Sequence, residues 1–308
     1  MSLDIVSAII LTHNRLELLK RSIDSVFAQT YPDIECIVVD NGSTDGTREY
    51  CLSRKGVNYI YSNPPKEAGN GCNYSRNLGI KACTGSLIAL LDDDDYWLPT
   101  KIEKQVALMK EKGCGIVYCG TTAEIIEAGT TYQEWPVNHD KEGDMSVKCL
   151  IKPFVLTSQL LIKKELIENA GLFDENVQFW QETELVIRLC QLSPIWAVDE
   201  CLMVYRIEKT DKEQQGNRFN GWRESVRYIY NIKHKVLYQR LSLPEKVQAN
   251  RYIIENAYDR AMKTRSDLWA VLYRTQISLL NTPHNIKKII KTLNTLFHTF
   301  LTCIRIES

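Results

Sequence analysis

The feature that most constrains this chain is a regular alternation of short apolar runs and amphipathic segments over residues 5–112. Each apolar run is rich in β-branched residues, and each following segment has helical spacing. Strands joined by helices at such short intervals form a mainly parallel sheet with helices on both faces. The pattern therefore predicts an α/β fold whose ligands bind beyond the carboxyl ends of the strands. Strands are predicted at residues 5–11, 34–39, 57–61 and 86–91, and helices at 16–28, 47–53, 73–83 and 102–112.

The composition excludes several classes of protein. Lys plus Arg and Asp plus Glu number 38 each in 308 residues, so no positive field exists to hold a nucleic acid, which is not an expected partner. No run approaches the roughly 20 apolar residues that span a bilayer. The ten cysteines include no CxxC pair, no secretory leader precedes Ile5, and the five histidines lack zinc spacing. We therefore expect a cytoplasmic protein with reduced thiols.

Carboxylates follow two of the predicted strands directly. Asp40 ends the strand at 34–39, and four consecutive aspartates at 92–95 end the strand at 86–91. Adjacent carboxylates repel one another, and a divalent cation would relieve the repulsion. Mg²⁺ or Mn²⁺ suits this run better than Zn²⁺, because both prefer hard oxygen ligands and leave positions open for a diphosphate. The alternative is a solvated acidic turn before the next helix.

Four motifs follow one another in the first hundred residues: IILTHNR at 9–15, IVVDNGSTD at 37–45, GCNYSRN at 71–77 and GSLIALLDDDD at 85–95. In this order and spacing they resemble the motifs of family 2 nucleotide-sugar glycosyltransferases, which have the GT-A fold. Leu11 stands where a proline is usual, and Asn41 replaces a common second aspartate. The resemblance covers roughly residues 5–205. It implies a GT-A domain over residues 1–210, followed by a helical C-terminal region over 211–308.

The resemblance also implies roles for individual residues. Asp40, at a strand end, can accept hydrogen bonds from a base or a ribose, and Arg76, early in a helix, can face a diphosphate. The alternatives are a turn residue for Asp40 and a surface arginine for Arg76. Asp94 is expected to bind the metal ion, Mn²⁺ or Mg²⁺. The expected nucleotide-binding residues are Thr12, His13, Arg15, Asp40, Arg76, Asp92 and Asp93.

A second landmark begins with GLFDE at 171–175 and continues with WQETELVIRL at 180–189. The family has a Glu-Asp pair before this helix, whereas this chain has Gln181 and Glu182. The resemblance implies that Glu182 is the general base, which deprotonates the acceptor hydroxyl in a single inverting step. The alternative is a helix N-terminal charge that favours the macrodipole. Glu184 is the reserve candidate for the base.

Other polar and aromatic residues are weaker candidates near the acceptor. Trp180 and Trp135 either stack on sugar rings or belong to the core. The segment 157–159 lies where the family often lines the sugar site. Arg206 follows the predicted strand at 201–204 and either approaches a phosphate or ends the strand. The polar segment 120–144 is interpreted as a variable loop or hairpin beside the acceptor.

From residue 211 onward the pattern becomes helical and aromatic. Residues 286–304 carry an apolar helical stripe with a basic flank. Such a stripe could pack on the preceding helices, form a homodimer contact, or lie at the anionic inner face of the membrane as a peripheral contact.

The leading hypothesis is an inverting, metal-dependent glycosyltransferase. The resemblance favours a UDP-sugar donor and a glycan or lipid-linked acceptor in surface polysaccharide biosynthesis. One alternative is a non-catalytic nucleotide-binding or scaffold protein on the same fold, suggested by the altered pair at 181–182. The other is a sugar-phosphate nucleotidyltransferase, which would need a glycine-rich phosphate loop after the first strand, where this chain has residues 12–15 without glycine.

Overall fold

A computed structural model describes residues 4–65, 71–126, 130–208 and 219–263. Its strands are β1 (Val6–Thr12), β2 (Ile34–Asp40), β3 (Val57–Tyr61), β4 (Leu87–Asp92), β5 (Tyr96–Trp97), β6 (Ile116–Ile126), β7 (Thr130–Trp135), β8 (Leu161–Lys163) and β9 (Ile195–Glu208). Its α-helices are α1 (Leu16–Phe27), α2 (Thr47–Ser53), α3 (Cys72–Ala82), α4 (Lys101–Lys112), α5 (Lys164–Asn169), α6 (Gln181–Leu189), α7 (Phe219–Arg227), α8 (Lys235–Gln239) and α9 (Leu243–Lys263). The predicted strands and helices before residue 112 lie within one residue of these bounds.

The strands form one sheet in the order β3-β2-β1-β4-β8-β6-β9-β5, with β7 paired to β6. The first four strands are parallel, as the alternating pattern predicts. The remainder is mixed, because β8 runs antiparallel to both β4 and β6, while β9 is parallel to β6. In the parallel half, Thr12 pairs with Asp40 and Leu11 pairs with Asp92. This register brings the polar ends of β1, β2 and β4 to one edge of the sheet.

Each face of the sheet is covered by its own hydrophobic core. Ile9 and Val39 belong to one core, whereas their strand neighbours Ile10 and Val38 belong to the other, as the two-residue repeat of a strand requires. Helices α1, α2 and α4 contribute to the core that contains Ile10. Helices α3, α5 and α6 contribute to the core that contains Ile9. Both faces of the sheet are therefore buried, which confirms the predicted α/β fold.

The described part of the C-terminal region joins the core that contains Ile9. Trp222 of α7 and Ile253 and Ala257 of α9 are buried in it, and Ile229 lies in a π-helical turn (Tyr228–Lys233) between α7 and α8. No helix in the described ranges is both long and apolar enough to cross a bilayer. The predicted stripe at 286–304 lies outside the described residues.

The segment 120–144 contains the predicted hairpin. Strand β6 continues to Ile126 and pairs antiparallel with β7, with Ile126 opposite Thr130 and Thr121 opposite Trp135. Strand β9 is longer than the strand predicted at 201–204, because the register shift at Gly120 lets it follow β6 along its whole length. The nine cysteines in the described ranges are all free thiols.

Candidate active site

A cavity of about 630 Å³ opens at the edge where β1 and β4 end and α6 begins. It brings together residues that are far apart along the chain, from Leu11 to Arg260. Eight of the nine predicted site residues line it: Thr12, His13, Arg15, Arg76, Asp92, Asp93, Asp94 and Glu182. The ninth, Asp40, does not.

Arg15 binds two of the four consecutive aspartates. Its Nη1 lies 3.3 Å from Asp93 Oδ1 and 3.0 Å from Asp94 Oδ2. Asp93 also accepts a hydrogen bond of 2.8 Å from the Thr12 hydroxyl. Burial and the neighbouring charge of Asp94 raise the pKa of Asp93 to about 7, although Arg15 opposes the shift. The mutual repulsion of the carboxylates is thus relieved partly by an arginine and partly by a raised pKa.

Asp95 also lines the cavity, but its carboxylate forms structural hydrogen bonds. Its Oδ2 accepts a hydrogen bond of 2.6 Å from the Ser158 hydroxyl, and its Oδ1 accepts one of 3.2 Å from the Arg206 backbone N–H. Burial, followed by the charges of Asp94 and Asp92, raises the pKa of Asp95 well above its usual range. Asp95 therefore fixes the turn after β4 against β9 and the segment 157–159.

Arg76 connects α3, β4 and α6 through one guanidinium. Its Nη2 lies 2.8 Å from Asp92 Oδ1, and its Nη1 donates a hydrogen bond to Gln181 Oε1. The guanidinium also lies 5.5 Å from the ring centre of Phe173. Only 9% of the Arg76 side chain is exposed, so the alternative of a surface arginine is excluded. The charge of Arg76 is held at the wall of the cavity.

The cavity offers hard oxygen ligands but no complete metal cage. Within the part of the chain that the structure describes, no group of three or more His, Cys, Asp or Glu residues is arranged to hold an ion. Mg²⁺ and similar ions in phosphate-transfer sites are commonly held by one or two carboxylates, and phosphate oxygens complete the shell. Asp94 and Asp92 line the cavity. These residues fit an ion shared with a diphosphate.

Asp40 is completely buried and supports a loop. Its Oδ1 accepts a hydrogen bond of 2.8 Å from the Ser43 backbone N–H, and its Oδ2 accepts one of 2.9 Å from the Tyr59 hydroxyl. The next residue, Asn41, lines the cavity instead, and its carbonyl oxygen lies 2.8 Å from His13 Nδ1. The structure thus gives Asp40 the turn role that was its alternative, and direct contact with a nucleotide stays a prediction.

Glu182 is the second residue of α6, and this helix begins directly after a residue with left-handed backbone. Trp180 has a φ of 56°, a conformation that costs energy in a bulky residue and that often occurs at functional sites. This turn places Glu182 at the cavity, half-buried. Burial raises the pKa of Glu182, the charge of Arg76 opposes that shift, and Asp92 adds to it. A half-buried carboxyl with a raised pKa has the properties of a general base.

Glu184, the reserve candidate for the base, belongs to a buried ion cluster and does not reach the cavity. Its side chain is 1% exposed and lies 2.6 Å from Arg188, 2.8 Å from Lys233 and 3.1 Å from His234. Burial acts to raise its pKa, but hydrogen bonds from His234 and Arg188 outweigh burial and lower the pKa to about 2. Such a strongly paired carboxylate holds α6 to the C-terminal helices. It is not available as a base.

The sequence matches the family model described as glycosyl transferase family 2 over residues 7–171. This match spans more than half of the chain and includes all four motifs of the first hundred residues. The chain belongs to glycosyl transferase family 2. Membership of this family argues against the alternative of a sugar-phosphate nucleotidyltransferase.

Relatives of this family 2 protein occur in several bacteria. An uncharacterized glycosyltransferase of Rickettsia prowazekii is 34% identical over 208 residues, which are 66% of this chain and 64% of that relative, so the chain spans less than two thirds of the relative's length. The putative teichuronic acid biosynthesis glycosyltransferase TuaG of Bacillus subtilis is 32% identical over 204 residues, or 66% and 79% of the two chains. A GalNAc(5)-diNAcBac-PP-undecaprenol beta-1,3-glucosyltransferase of Campylobacter jejuni is 25% identical over 287 residues, or 90% of each.

Solved structures share the fold at low sequence identity. The structure of S. aureus TarS 1–349 in complex with UDP-GlcNAc has a TM-score of 0.56 at 14% identity and covers 97% of this chain and 92% of its own. The mannosyltransferase PcManGT of Pyrobaculum calidifontis, in complex with GDP-Man and Mn²⁺, has a TM-score of 0.55 at 18% identity. The match covers 90% of this chain and 84% of PcManGT. This family 2 chain therefore has the GT-A fold.

The weaker candidates differ in where they lie. Trp180 lines the cavity and also packs against Trp222, at 5.4 Å between ring centres, so it belongs to both the site and the core. Trp135 is 38% exposed and lies 6.1 Å from Tyr205, outside the cavity wall. In the segment 157–159, Thr157 lines the cavity, whereas Ser158 and Gln159 are buried in contacts with the sheet.

Tyr205 and Arg260 are among the residues of this family 2 site that sequence reasoning did not predict. Tyr205 of β9 lines the cavity, and its position after a predicted strand was a usable signal, although Arg206 was considered there instead. Arg260 of α9 also lines the cavity. No motif marks Arg260, because it lies outside the region that resembles the family.

Proposed function

We propose that this family 2 protein is an inverting, metal-dependent glycosyltransferase that transfers a sugar from a UDP-sugar to a hydroxyl of a glycan or lipid-linked acceptor. One observation carries the proposal: Glu182, a half-buried carboxyl, shares a single cavity with Asp94, Arg15 and Arg76. An acceptor hydroxyl needs a base, and the diphosphate of a nucleotide sugar needs arginine side chains and a carboxylate that can hold a metal ion. The region at 1–210 would hold this chemistry, with 211–308 as its helical extension.

In the proposed reaction Glu182 accepts the proton of the acceptor hydroxyl. The acceptor oxygen forms a bond to the anomeric carbon while the bond from that carbon to the diphosphate oxygen breaks, and the electron pair leaves with the nucleoside diphosphate. Attack opposite the leaving group inverts the anomeric configuration. Burial raises the pKa of Glu182, which strengthens it as a proton acceptor, and the charge of Arg76 opposes the shift and favours the ionised form.

Asp94, with Asp92 beside it, would hold the divalent ion, Mn²⁺ or Mg²⁺. A bound ion would supply positive charge against the negative charge that develops on the departing diphosphate. Arg15 orients Asp94 through a contact of 3.0 Å. Thr12 and Arg15 both bind Asp93 and keep the end of β1 in register with the end of β4, which preserves the shape of the nucleotide pocket.

Similar proteins support the donor and acceptor classes. UDP-GlcNAc is bound in the TarS structure, and GDP-Man with Mn²⁺ is bound in the PcManGT structure. The B. subtilis relative is named for teichuronic acid biosynthesis, and the C. jejuni relative for an undecaprenol diphosphate-linked glycan. We infer a role in surface polysaccharide biosynthesis, in the cytoplasm or at the inner face of the membrane. The free thiols agree with a reducing compartment.

The first test is the thermal stability of the wild-type protein with UDP, GDP, CDP and ADP, each with and without Mn²⁺. A ligand that binds only the folded protein raises the melting temperature, and a concentration of 100 times Kd adds about 2.7 kcal/mol to the free energy of unfolding. We expect UDP with Mn²⁺ to give the largest rise, and Asp94→Asn to lose the metal-dependent part. Asp24→Asn, at an exposed helix position, is the matched control. No rise with any nucleotide contradicts the proposal.

A second candidate function is nucleotide binding without turnover. The observation that favours it is Gln181, a neutral residue at the first position of the family's acidic pair, which accepts a hydrogen bond from Arg76. A panel of nucleotide sugars distinguishes the two functions. Binding with neither transfer nor hydrolysis of any donor would favour the second candidate.

A further inference from the structure

Helix α9 lies outside the region that matches the family model, and one of its arginines, Arg260, lines the cavity. Ile253, Ala257 and Ala261 of this helix are buried, and their spacing of four residues defines the face that packs on the core. Arg260 follows Ala257 by three residues and lies at the edge of that face. Its side chain therefore reaches the wall of the cavity beside α6.

Aromatic rings hold the Arg260 guanidinium in place. Its central carbon lies 5.4 Å from the ring centre of Trp222 and 5.9 Å from that of Phe179. Burial lowers the pKa of Arg260, while the nearby Tyr252, Tyr205 and Glu182 act to raise it. Arginine stays protonated in proteins, so the group keeps its charge. A guanidinium packed on aromatic faces keeps its N–H donors in its own plane, where they can bind two oxygens of one anion.

The order of residues across the sheet edge indicates which anion this would be. Asn41 follows β2, whereas Asp92 ends β4, two strands away. Neighbouring strands are about 4.8 Å apart, so these ends are separated by roughly 10 Å. A nucleoside at the β2 end would therefore present its diphosphate near Asp92 and Asp94. The outer phosphate is bonded to the anomeric carbon, so it must lie close to the base Glu182. Arg260 lines the same cavity and is near enough to Glu182 for the two charges to interact.

We propose that Arg260 binds the outer phosphate of the nucleoside diphosphate, so that the C-terminal helices complete the donor site. This inference rests on the proposed function. The charge of Arg260 adds to the charges of Arg15 and Arg76, which line the same cavity, at the end where the leaving group develops negative charge. A site assembled this way is complete only when α9 is packed on the core that contains Ile9.

The experiment compares the binding of UDP and UMP, both with Mn²⁺, by isothermal titration calorimetry on the full chain. If guanine is the preferred base, GDP and GMP replace them. We expect Arg260→Gln to weaken UDP binding by about 10- to 100-fold, the range for a lost hydrogen bond between charged groups. Binding of UMP, which lacks the outer phosphate, should be unchanged. Arg251→Gln is the matched control, because Arg251 is an exposed arginine of the same helix that pairs with Glu255.

The outcomes separate the inference from a structural role. Equal weakening of UDP and UMP binding would mean that Arg260 only supports the fold and would overturn the inference. Arg260→Lys, which retains the charge, should bind UDP more tightly than Arg260→Gln; equal loss in both variants also overturns it. Unchanged UDP binding with a raised acceptor KM would assign Arg260 to an acidic acceptor instead. A wild-type protein that binds no nucleoside diphosphate overturns the proposed function itself.

Discussion

Arg76 Nη2 lies 2.8 Å from Asp92 Oδ1, and the same guanidinium donates a hydrogen bond to Gln181 at the start of α6. One side chain of α3 therefore fixes the end of a strand and the beginning of a helix at the cavity. Gln181 stands at the first position of the family's acidic pair. Its side-chain oxygen Oε1 accepts the hydrogen bond from Arg76 that a carboxylate at this position could also accept. Glu182 keeps the only carboxylate of that pair, placed at the cavity.

We expect Arg76→Lys to weaken nucleoside diphosphate binding by about 10-fold or more, because a lysine cannot contact Asp92 and Gln181 in the same fork geometry. The measurement is the Kd for UDP with Mn²⁺ by calorimetry, with the melting temperature recorded in parallel. Arg54→Lys, at an exposed arginine that pairs with Asp24, is the control and should bind UDP as the wild type does. Unchanged UDP affinity in Arg76→Lys would contradict the positioning role of this residue.

We expect Glu182→Gln to lower kcat by about 10²- to 10⁴-fold, the usual contribution of a general base, and to leave UDP affinity unchanged. The amide has nearly the same size but cannot accept the proton of the acceptor hydroxyl. The measurement is transfer from the best donor together with nucleotide binding. Glu165→Gln, at an exposed position of α5 outside this cavity, serves as the control. Turnover retained in Glu182→Gln would remove Glu182 from the proposed mechanism.

We expect Glu184→Gln to lower the free energy of unfolding by about 3–5 kcal/mol, because removing one partner leaves a buried charge without compensation. The charge left behind is Arg188, whereas Lys233 keeps its second partner, Asp174. The measurement is urea denaturation at neutral pH. Glu255→Gln, which breaks an exposed pair with Arg251, should change stability by about 1 kcal/mol or less. Equal effects of the two substitutions would show that the buried cluster contributes little.

The same cluster predicts a dependence of stability on pH. Burial opposes ionisation of Asp174, but a hydrogen bond from Lys233 outweighs burial and lowers the pKa of Asp174 to about 2. The pKa of Glu184 is also about 2 in the folded protein. A lowered pKa means that the unfolded chain binds the proton more tightly. The stabilising contribution is therefore complete above the ordinary pKa values of 3.8 and 4.5 and is lost as the pH falls toward 2.

Urea denaturation at a series of pH values from about 7 to about 3 checks this dependence. The wild type should lose stability over the acidic part of the series, and Glu184→Gln should lose less, because one of the two groups no longer titrates. Parallel curves for the two proteins would contradict the assignment of the shift to Glu184.

The strands, the helices of the first 112 residues and the strand-end carboxylates could be predicted from sequence, because each depends on residues that are close along the chain. An apolar run of β-branched residues favours a strand, and a polar residue directly after it must lie at the sheet edge. Parallel pairing then brings Thr12, Asp40 and Asp92 to one edge, whatever the rest of the chain does. This local information, together with the resemblance to the motifs of the family, predicted eight of the nine site residues that line the cavity.

Contacts between distant residues decided the remainder. Ser43 and Tyr59 bury the carboxylate of Asp40, and Lys233 and His234 draw Glu184 into an ion cluster about 50 positions away along the chain. Arg260 reaches the cavity only because α9 packs on the core that contains Ile9. Hydrophobic burial is non-directional and does not specify a partner in the sequence, so the pairing of these groups is determined only when the whole chain packs.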